Sequence, residues 1–181
     1  MDAQTIKSKI GERLVDVSVE CTDADGYVCV DVRREDLLKV VSFLKEEPSL
    51  RLDFLMAITG IDLAGLEEGK GFRVLYHLFS YPYKHTVVVR VDLPKDDPTV
   101  PSLANLYGSA NWNEREVYDL FGIVFQGHPD LRRILLPEEW VGHPLRKDYK
   151  EPDVILGFPA TRTSLMDKIK AARVKGKEEQ G

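Results

Sequence analysis

Cysteine is scarce in this sequence, and its scarcity restricts the chemistry that the chain can carry. The 181 residues include only two cysteines, Cys21 and Cys29, and four histidines that are dispersed along the chain. An iron–sulfur cluster typically needs four cysteine ligands, so a cluster held by this chain alone is nearly excluded. The two cysteines do not form a C-x-x-C pair. We expect them to be free thiols, buried or cross-strand, in a reducing compartment.

Long apolar runs and an excess of basic charge are missing as well. No run reaches 18 apolar residues, so the sequence predicts no membrane-spanning helix, and the N-terminus shows no signal-peptide core. The formal net charge of −5 argues against nucleic acid as the main partner. With 43% hydrophobic and 30% charged residues, the composition is that of a soluble globular protein, most simply one domain with tails.

Motifs typical of stand-alone catalysis are also absent. The sequence contains no glycine-rich phosphate loop, no G-x-S-x-G elbow and no H-E-x-x-H pair. Glu114, Glu116, Asp119, His128 and His143 could in principle serve as acids, bases or metal ligands. Both Gly-His-Pro triplets have a simpler structural use, because glycine allows a turn and proline stiffens it. We therefore expect fastening roles for these groups, with catalysis by the chain alone as the less favoured alternative.

The patterns that are present predict an α+β domain over residues 1–125. Apolar alternation and valine-rich runs indicate strands, and Asp25-Gly26 is a strong turn signal between the first two. The predicted elements are strands at 15–22, 27–32, 50–63, 72–80 and 85–93, a helix at 31–47 and a short helix at 102–107. Because hairpins dominate this order, we expect a mainly antiparallel sheet with helices packed on one face.

A densely charged helix is predicted from residue 113 to residue 122. Asn113 can cap it, with Glu116 reaching back in a capping box. Gly122 can take the left-handed conformation that commonly ends a helix. Asp119 lies near the last turn, where its charge opposes the helix dipole by roughly 0.3–1 kcal/mol. We therefore expect a cation to approach Asp119.

Beyond this helix, proline recurs every seven or eight residues, at positions 129, 137, 144, 152 and 159. Regular helix or central strand cannot persist through that spacing. Residues 126–160 are therefore predicted to form an extended partner-binding arm, and 161–181 a tail that is partly helical or disordered. Arg132 or Arg133 could fold back onto Asp119, because guanidinium groups bind carboxylates through two parallel hydrogen bonds.

Two phrases in this region resemble the signature of a known family. The first begins Glu114-Arg115-Glu116-x-x-Asp119-Leu-Phe-Gly122-Ile and continues through Gly-His-Pro-Asp-Leu-Arg-Arg-Ile-Leu at 127–135. The second is Gly-His-Pro-Leu-Arg-Lys-Asp-Tyr at 142–149. Together they resemble the thirty-kilodalton (C) subunit of NADH–quinone oxidoreductase, which is respiratory complex I. The resemblance is strong over residues 109–152 and extends weakly from about residue 52.

The resemblance implies a non-redox structural subunit of the hydrophilic arm of this proton-translocating enzyme. It implies no cofactor in this chain, with FMN, iron–sulfur clusters and quinone carried by other subunits. The implied partners are the hydrogenase-large-subunit-like subunit of the quinone site and the iron–sulfur subunits. The implied location is the cytoplasmic side of the bacterial inner membrane, with membrane contact only through the complex.

No catalytic, cofactor-binding or metal-binding residue is expected in this chain, and no activity is expected of the chain in isolation. The expected interface and structural residues are Glu114, Arg115, Glu116, Asp119, Gly122, His128, Pro129, Arg132, Arg133, His143, Pro144, Arg146, Lys147 and Asp148. Two alternatives stay open at this point. One is the equivalent subunit of a related membrane-bound hydrogenase or ferredoxin–quinone oxidoreductase. The other is a stand-alone enzyme that uses the Glu/His cluster.

Overall fold

The computed structural model describes residues 3–13, 20–24, 27–66, 71–152, 154–155 and 158–159. The chain forms two compact units, one of residues 1–138 with 142–149 and the other of residues 139–141 with 150–181. The predicted tail at 161–181 lies outside the described residues, as does the predicted turn at Asp25-Gly26.

Helices and strands alternate irregularly along the chain. The elements are α1 (Ala3–Arg13), β1 (Glu20–Ala24), β2 (Tyr27–Asp31), a 3-10 turn (Arg34–Asp36), α2 (Leu37–Glu46), β3 (Phe54–Asp62), β4 (Gly71–Ser80), β5 (His85–Pro94), β6 (Thr99–Pro101), α3 (Ala110–Phe121), β7 (Val124–Gln126), β8 (Val154–Ile155) and β9 (Phe158–Pro159). The last two strands form a small antiparallel ribbon in the second unit.

The main sheet of the first unit has five strands in the order β1-β2-β5-β4-β3. Its neighbouring strands are antiparallel except β2 and β5, which are parallel. Strands β6 and β7, which precede and follow α3 in the sequence, form a separate parallel pair. The predicted α+β fold with a mainly antiparallel sheet is therefore confirmed.

The core lies on one face of the main sheet. In β4 the side chains of Phe72, Val74, Tyr76 and Leu78 are buried, whereas the residues between them are only half-buried. This alternation of period two is typical of a strand with one covered face. Buried apolar residues of all three helices belong to the same core cluster. Helix α3 comes so close to β3 that a Cβ on Gly60 would lie 2.8 Å from the ring of Phe121.

The N-terminal part of the fold departs from the sequence-based expectation. Helix α1 was not predicted, because its buried apolar positions are few and include Ile6 and Ile10, one helical turn apart. The strand predicted at 15–22 is described only from residue 20, and it pairs with β2 as expected. In that pairing Cys21 lies opposite Val30, and the buried Cys29 lies opposite Thr22.

The short helix predicted at 102–107 is a single turn. The backbone N–H groups of Leu106 and Tyr107 both donate to the carbonyl of Leu103, and no further helical bond follows in this segment. The Tyr107 hydroxyl donates to the carbonyl of Leu52 at 2.6 Å. Contacts with other parts of the fold, rather than repeated helical bonds, hold this turn in place.

Candidate functional site around helix α3

Helix α3 carries the first motif phrase and begins three residues earlier than predicted. Its N-cap is Ser109, whose hydroxyl donates to the carbonyl of Leu55, and Ala110 is fully buried. Asn113 therefore lies inside the helix, where its side-chain amide donates to the Ser109 carbonyl at 2.8 Å. The predicted cap by Asn113 is wrong, because these tertiary contacts extend the helix. Glu116 is exposed rather than folded back onto the helix start.

Glu114 is fully buried and fastens the segment before the helix. One carboxyl oxygen accepts the Ser102 hydroxyl at 2.6 Å, and the other accepts the backbone N–H of Leu103 at 2.6 Å. Burial raises the pKa of Glu114 to about 7, although both hydrogen bonds act in the opposite direction. The sequence-based prediction counted Glu114 among the structural residues of the motif but did not include its burial.

Arg115 fastens the segment after the helix. Its guanidinium lies 4.8 Å from the ring centre of Trp112, and its Nε donates to the carbonyl of Arg132 at 3.2 Å. Arg115 is itself buried, whereas Trp112 stays 63% exposed. The side chain of Arg132 points outward and pairs with Asp130 at 2.9 Å, with 66% of the Arg132 side chain exposed. Arg132 is thus held by its backbone and presents its charge to solvent.

Asp119 is a fully buried carboxylate with four donors. The backbone N–H groups of Ile134, Leu135 and Leu136 converge on Oδ2 at 3.0, 2.8 and 2.9 Å, and Arg133 donates to Oδ1 at 2.7 Å. Burial alone would raise the pKa of Asp119, but these hydrogen bonds outweigh it and keep that pKa below its usual value. The expected cation is confirmed as Arg133. The three converging amides form an anion-binding concavity that residue types alone do not reveal.

The second motif phrase covers the C-terminal end of α3. The last carbonyls of any α-helix lack partners within the helix. Here the contacts are His143 Nδ1–H to the Asp119 carbonyl at 2.9 Å, Leu145 N–H to the Leu120 carbonyl at 3.1 Å, Arg146 Nε–H to the Phe121 carbonyl at 2.5 Å and Arg146 Nη2–H to the Gly122 carbonyl at 3.4 Å. A guanidinium at this end also suits the negative pole of the helix dipole.

Gly122 is required by both backbone and packing. Its φ is 70°, in the left-handed region, as the predicted helix stop demands. A Cβ at this position would lie 2.5 Å from His143 Nε2 and 2.6 Å from Arg146 Nη2. Burial lowers the pKa of His143, and the nearby charge of Arg146 acts in the same direction. A neutral imidazole with its proton on Nδ1 fits the hydrogen bond to the Asp119 carbonyl.

The end of the second phrase is tied to the main sheet. The backbone N–H of Lys147 donates to the Asp62 carboxylate at 2.8 Å, and its Nζ donates to the carbonyl of Ala64 at 2.6 Å. Asp148 pairs with Lys95 at 2.8 Å on the surface. The bond from the Lys147 backbone reaches a buried carboxylate, since Asp62 is buried, whereas the side chains of Lys147 and Asp148 are exposed.

The first Gly-His-Pro triplet is fixed by its histidine. Nε2–H of His128 donates to the carbonyl of Asn111 at 3.0 Å, and Nδ1 accepts the backbone N–H of Asp130 at 3.0 Å. Pro129 is exposed and Pro144 of the second triplet is half-buried. Residues 127–138 and 142–149, which belong to the predicted arm, contain no helix or strand and are held on α3 through these contacts.

The motif residues therefore divide into an inner set and an outer set. The inner set, whose side chains or positions fasten the chain to itself, is Glu114, Arg115, Asp119, Gly122, His128, Arg133, His143 and Arg146. The outer set, which lies on α3 or in the two segments that contact it and is exposed, is Trp112, Glu116, Arg132, Leu135 and Leu145. Trp112, Leu135 and Leu145 were not singled out from the sequence, since nothing in their spacing distinguishes them from core residues.

Two further findings concern the described residues only. No group of three or more His, Cys, Asp or Glu side chains there is arranged to hold a metal ion. None of the helices in this part of the chain is long and apolar enough to cross a membrane.

Fold and site together define an α+β domain in which helix α3 is fastened by two basic, proline-containing segments. The chain belongs to the family described as respiratory-chain NADH dehydrogenase, 30 Kd subunit, which matches residues 30–153. It is 43% identical over 148 residues to the C subunit of the NADH-quinone oxidoreductase of Roseiflexus castenholzii, a match that covers 82% of this chain and 84% of the relative. The resemblance seen in the two motif phrases is thus confirmed.

Two solved structures share the fold. One is Nqo5, as a trypsin-resistant fragment (1-134), with a TM-score of 0.62 and 34% identity, covering 72% of this chain and all of that one. The other is a chain of the membrane-bound sulfane sulfur reductase, an archaeal respiratory membrane complex. It has a TM-score of 0.67 and 23% identity, covering 81% of this chain and 85% of that one.

Proposed function

We propose that this chain is a non-redox structural subunit in the hydrophilic arm of NADH–quinone oxidoreductase. It holds the quinone-site subunit and the iron–sulfur subunits in position, while FMN, clusters and quinone reside in those neighbours. On this proposal the chain is peripheral, on the cytoplasmic side of the inner membrane, and has no turnover of its own. The observation that carries the proposal is the division of the motif into an inner and an outer set.

The inner set supports a structural role because its ionisable groups are occupied by the chain itself. Glu114 and Asp119 are fully buried with their oxygens in hydrogen bonds. His128 and His143 each donate to a backbone carbonyl. A general base must reach the proton that it removes, and these four groups are directed at their own backbone or at neighbouring side chains instead.

The outer set supports a docking role. It combines three exposed apolar side chains with the outward guanidinium of Arg132, and Trp and Arg are the residue types that most often dominate binding energy at interfaces. Trp112 is already held in place by Arg115, so that less conformational freedom is lost when it is buried. We propose that these residues contact the hydrogenase-large-subunit-like partner or the iron–sulfur subunits.

The fold alone does not separate this proposal from the equivalent subunit of a related membrane-bound hydrogenase or ferredoxin–quinone oxidoreductase. A chain of an archaeal sulfane sulfur reductase has the same fold at 23% identity. The 43% identity to the C subunit of an NADH-quinone oxidoreductase favours the first assignment.

A tagged full-length chain, purified with its partners in mild detergent, tests the proposal. An NADH-binding flavoprotein among the partners supports the first assignment, and a nickel-site large subunit supports the alternative. Arg132→Ala should reduce the yield of assembled complex while the melting temperature of the free chain stays the same. Arg133→Ala is the matched control, because it removes an inner contact and should lower that melting temperature.

Two results would contradict the proposal. One is normal assembly with Arg132→Ala. The other is turnover by the purified chain alone that is abolished by Glu116→Gln with folding intact, since Glu116 is the exposed acid of helix α3. The second result would establish the stand-alone enzyme instead.

A further inference from the structure

Glu114 is a buried acid with only neutral partners among the described residues. Its carboxyl group is fully buried, and its two contacts are the Ser102 hydroxyl and the Leu103 backbone N–H, both at 2.6 Å. None of the salt bridges in the part of the chain that the structure describes includes Glu114. An ionised carboxylate without a cation is costly to bury, and such groups commonly keep a proton instead.

The position of Glu114 makes its protonation state matter to the fold. Its carboxyl group joins α3 to the turn at 102–107, which connects β6 to the helix. The Ser102 hydroxyl also accepts the backbone N–H of Ala104 at 3.1 Å, so that the carboxyl group and the turn share one hydroxyl. A change of charge on Glu114 therefore alters the hydrogen bonds of Ser102 at the start of this turn.

The groups that surround this junction leave the carboxyl without a compensating charge. Tyr76 faces it from β4, and the buried Tyr76 hydroxyl has no hydrogen-bond partner among the described residues. Burial and then the charge of Glu114 raise the pKa of Tyr76, so this hydroxyl stays neutral. Lys45 of α2 reaches the turn, but its Nζ donates to the carbonyl of Leu106 and lies 4.8 Å from the ring centre of Tyr107.

Both protonation states of Glu114 can keep the two contacts. When ionised, the carboxylate accepts from the Ser102 hydroxyl and from the Leu103 N–H. When neutral, the acid hydroxyl can donate to Ser102 Oγ while the other oxygen still accepts from Leu103. The two states thus differ mainly in whether a charge is buried.

We propose that Glu114 is a buried proton-binding group that makes the junction between α3 and the 102–107 turn sensitive to pH. Burial raises its pKa from 4.5 to about 7 in the folded chain. Between these values the folded chain binds the proton and the unfolded chain does not, so stability is lost as pH rises through this interval. Above the upper value both forms are ionised and the loss is complete.

The test compares the full-length chain with Glu114→Gln in urea unfolding from pH 5 to pH 8.5. Glutamine has the same shape, stays neutral, and can accept from Leu103 and donate to Ser102. The unfolding equilibrium constant of the wild type, divided by that of the variant, should rise roughly 50-fold between pH 5 and pH 8. Burial lowers the pKa values of His77, His85 and His143, so these histidines also make stability depend on pH. Both proteins contain them, and their contribution therefore cancels in the ratio.

Tyr76→Phe is the matched control, because it removes a buried hydroxyl at the same junction and keeps the acid. It should retain the pH dependence of the wild type. A ratio for Glu114→Gln that is flat across this range would overturn the proposal. Should that variant not fold, infrared spectroscopy of the wild type decides. A protonated carboxylic acid band at pH 6 that disappears by pH 8.5 supports the proposal, and its absence at pH 6 overturns it.

Discussion

Helix α3 buries two carboxyl groups five residues apart, and their surroundings shift the two pKa values in opposite directions. Glu114 meets two neutral donors, and burial raises its pKa to about 7. Asp119 meets three backbone amides and Arg133, and its pKa stays below the usual value. Both side chains are fully buried. The number and charge of the donors, rather than burial itself, therefore decide which acid keeps its charge.

The two acids also organise different parts of the chain. Glu114 holds the turn that precedes the helix, whereas Asp119 gathers residues 133–136 that follow it. The carbonyls at the helix end then receive His143, Leu145 and Arg146. One helix thus positions the segments that precede and follow it. The contacts at its start come from neutral donors, whereas those at its end include the guanidinium groups of Arg133 and Arg146.

The largest effect is expected for Asp119→Asn. Asparagine has the same size, but it removes the charge that Arg133 faces and turns an amide toward backbone donors. Breaking a buried pair from one side typically costs about 3–5 kcal/mol, and urea unfolding at pH 7 measures this loss. Because the folded pKa lies below the unfolded value, the advantage of the wild type should fade as pH falls below 3.8.

Asp130→Asn is the control for that comparison, since Asp130 is an exposed acid paired with Arg132. An exposed ion pair contributes about 0–1 kcal/mol. Equal losses for the two variants would mean that the contacts of Asp119 do not hold in solution.

A smaller loss, of about 2–3 kcal/mol, is expected for Gly122→Ala. A side chain in the left-handed region costs about 1–2 kcal/mol, and displacing His143 and Arg146 adds an overpacking cost of about 1 kcal/mol. Gly108→Ala is the matched control, because a Cβ there meets nothing within 4 Å. Thermal unfolding of both variants checks this, and a Gly122→Ala protein as stable as Gly108→Ala would refute the account of the helix end.

The smallest effect is expected for Glu114→Gln at pH 5. At that pH the folded chain holds the Glu114 proton, so the amide replaces a neutral acid and the free energy of unfolding should change by less than about 1 kcal/mol. Asp119→Asn, measured at the same pH, should still cost several kcal/mol because Asp119 is ionised there. Similar losses for the two variants at pH 5 would remove the difference between the two acids.

Local patterns predicted those parts of the molecule that depend on neighbours in sequence. The valine alternation of β5 and the helix stop at Gly122 are of this kind. The pairing of Asp119 with Arg133 was also within reach, because a misplaced acid and a nearby arginine are both visible in the sequence. The early start of α3 and the burial of Glu114 were missed, since contacts with Leu55 and Ser102 cause them.

The three amides at 134–136 could not have been predicted either. Every residue type carries a backbone N–H, so their convergence on one oxygen is a property of the chain path and not of the side chains. The predicted arm was identified by its proline spacing, which shows where regular structure ends but not which surface the segment meets.

Hydrogen exchange of the Ile134, Leu135 and Leu136 amides in the free full-length chain tests the central claim most directly. If the motif fastens this segment to α3 within the chain, these three amides are protected before any partner is present, because each donates to the buried Asp119 carboxylate. Their protection should be lost in Asp119→Asn. Exchange in the wild type as fast as in an unstructured peptide would contradict the account.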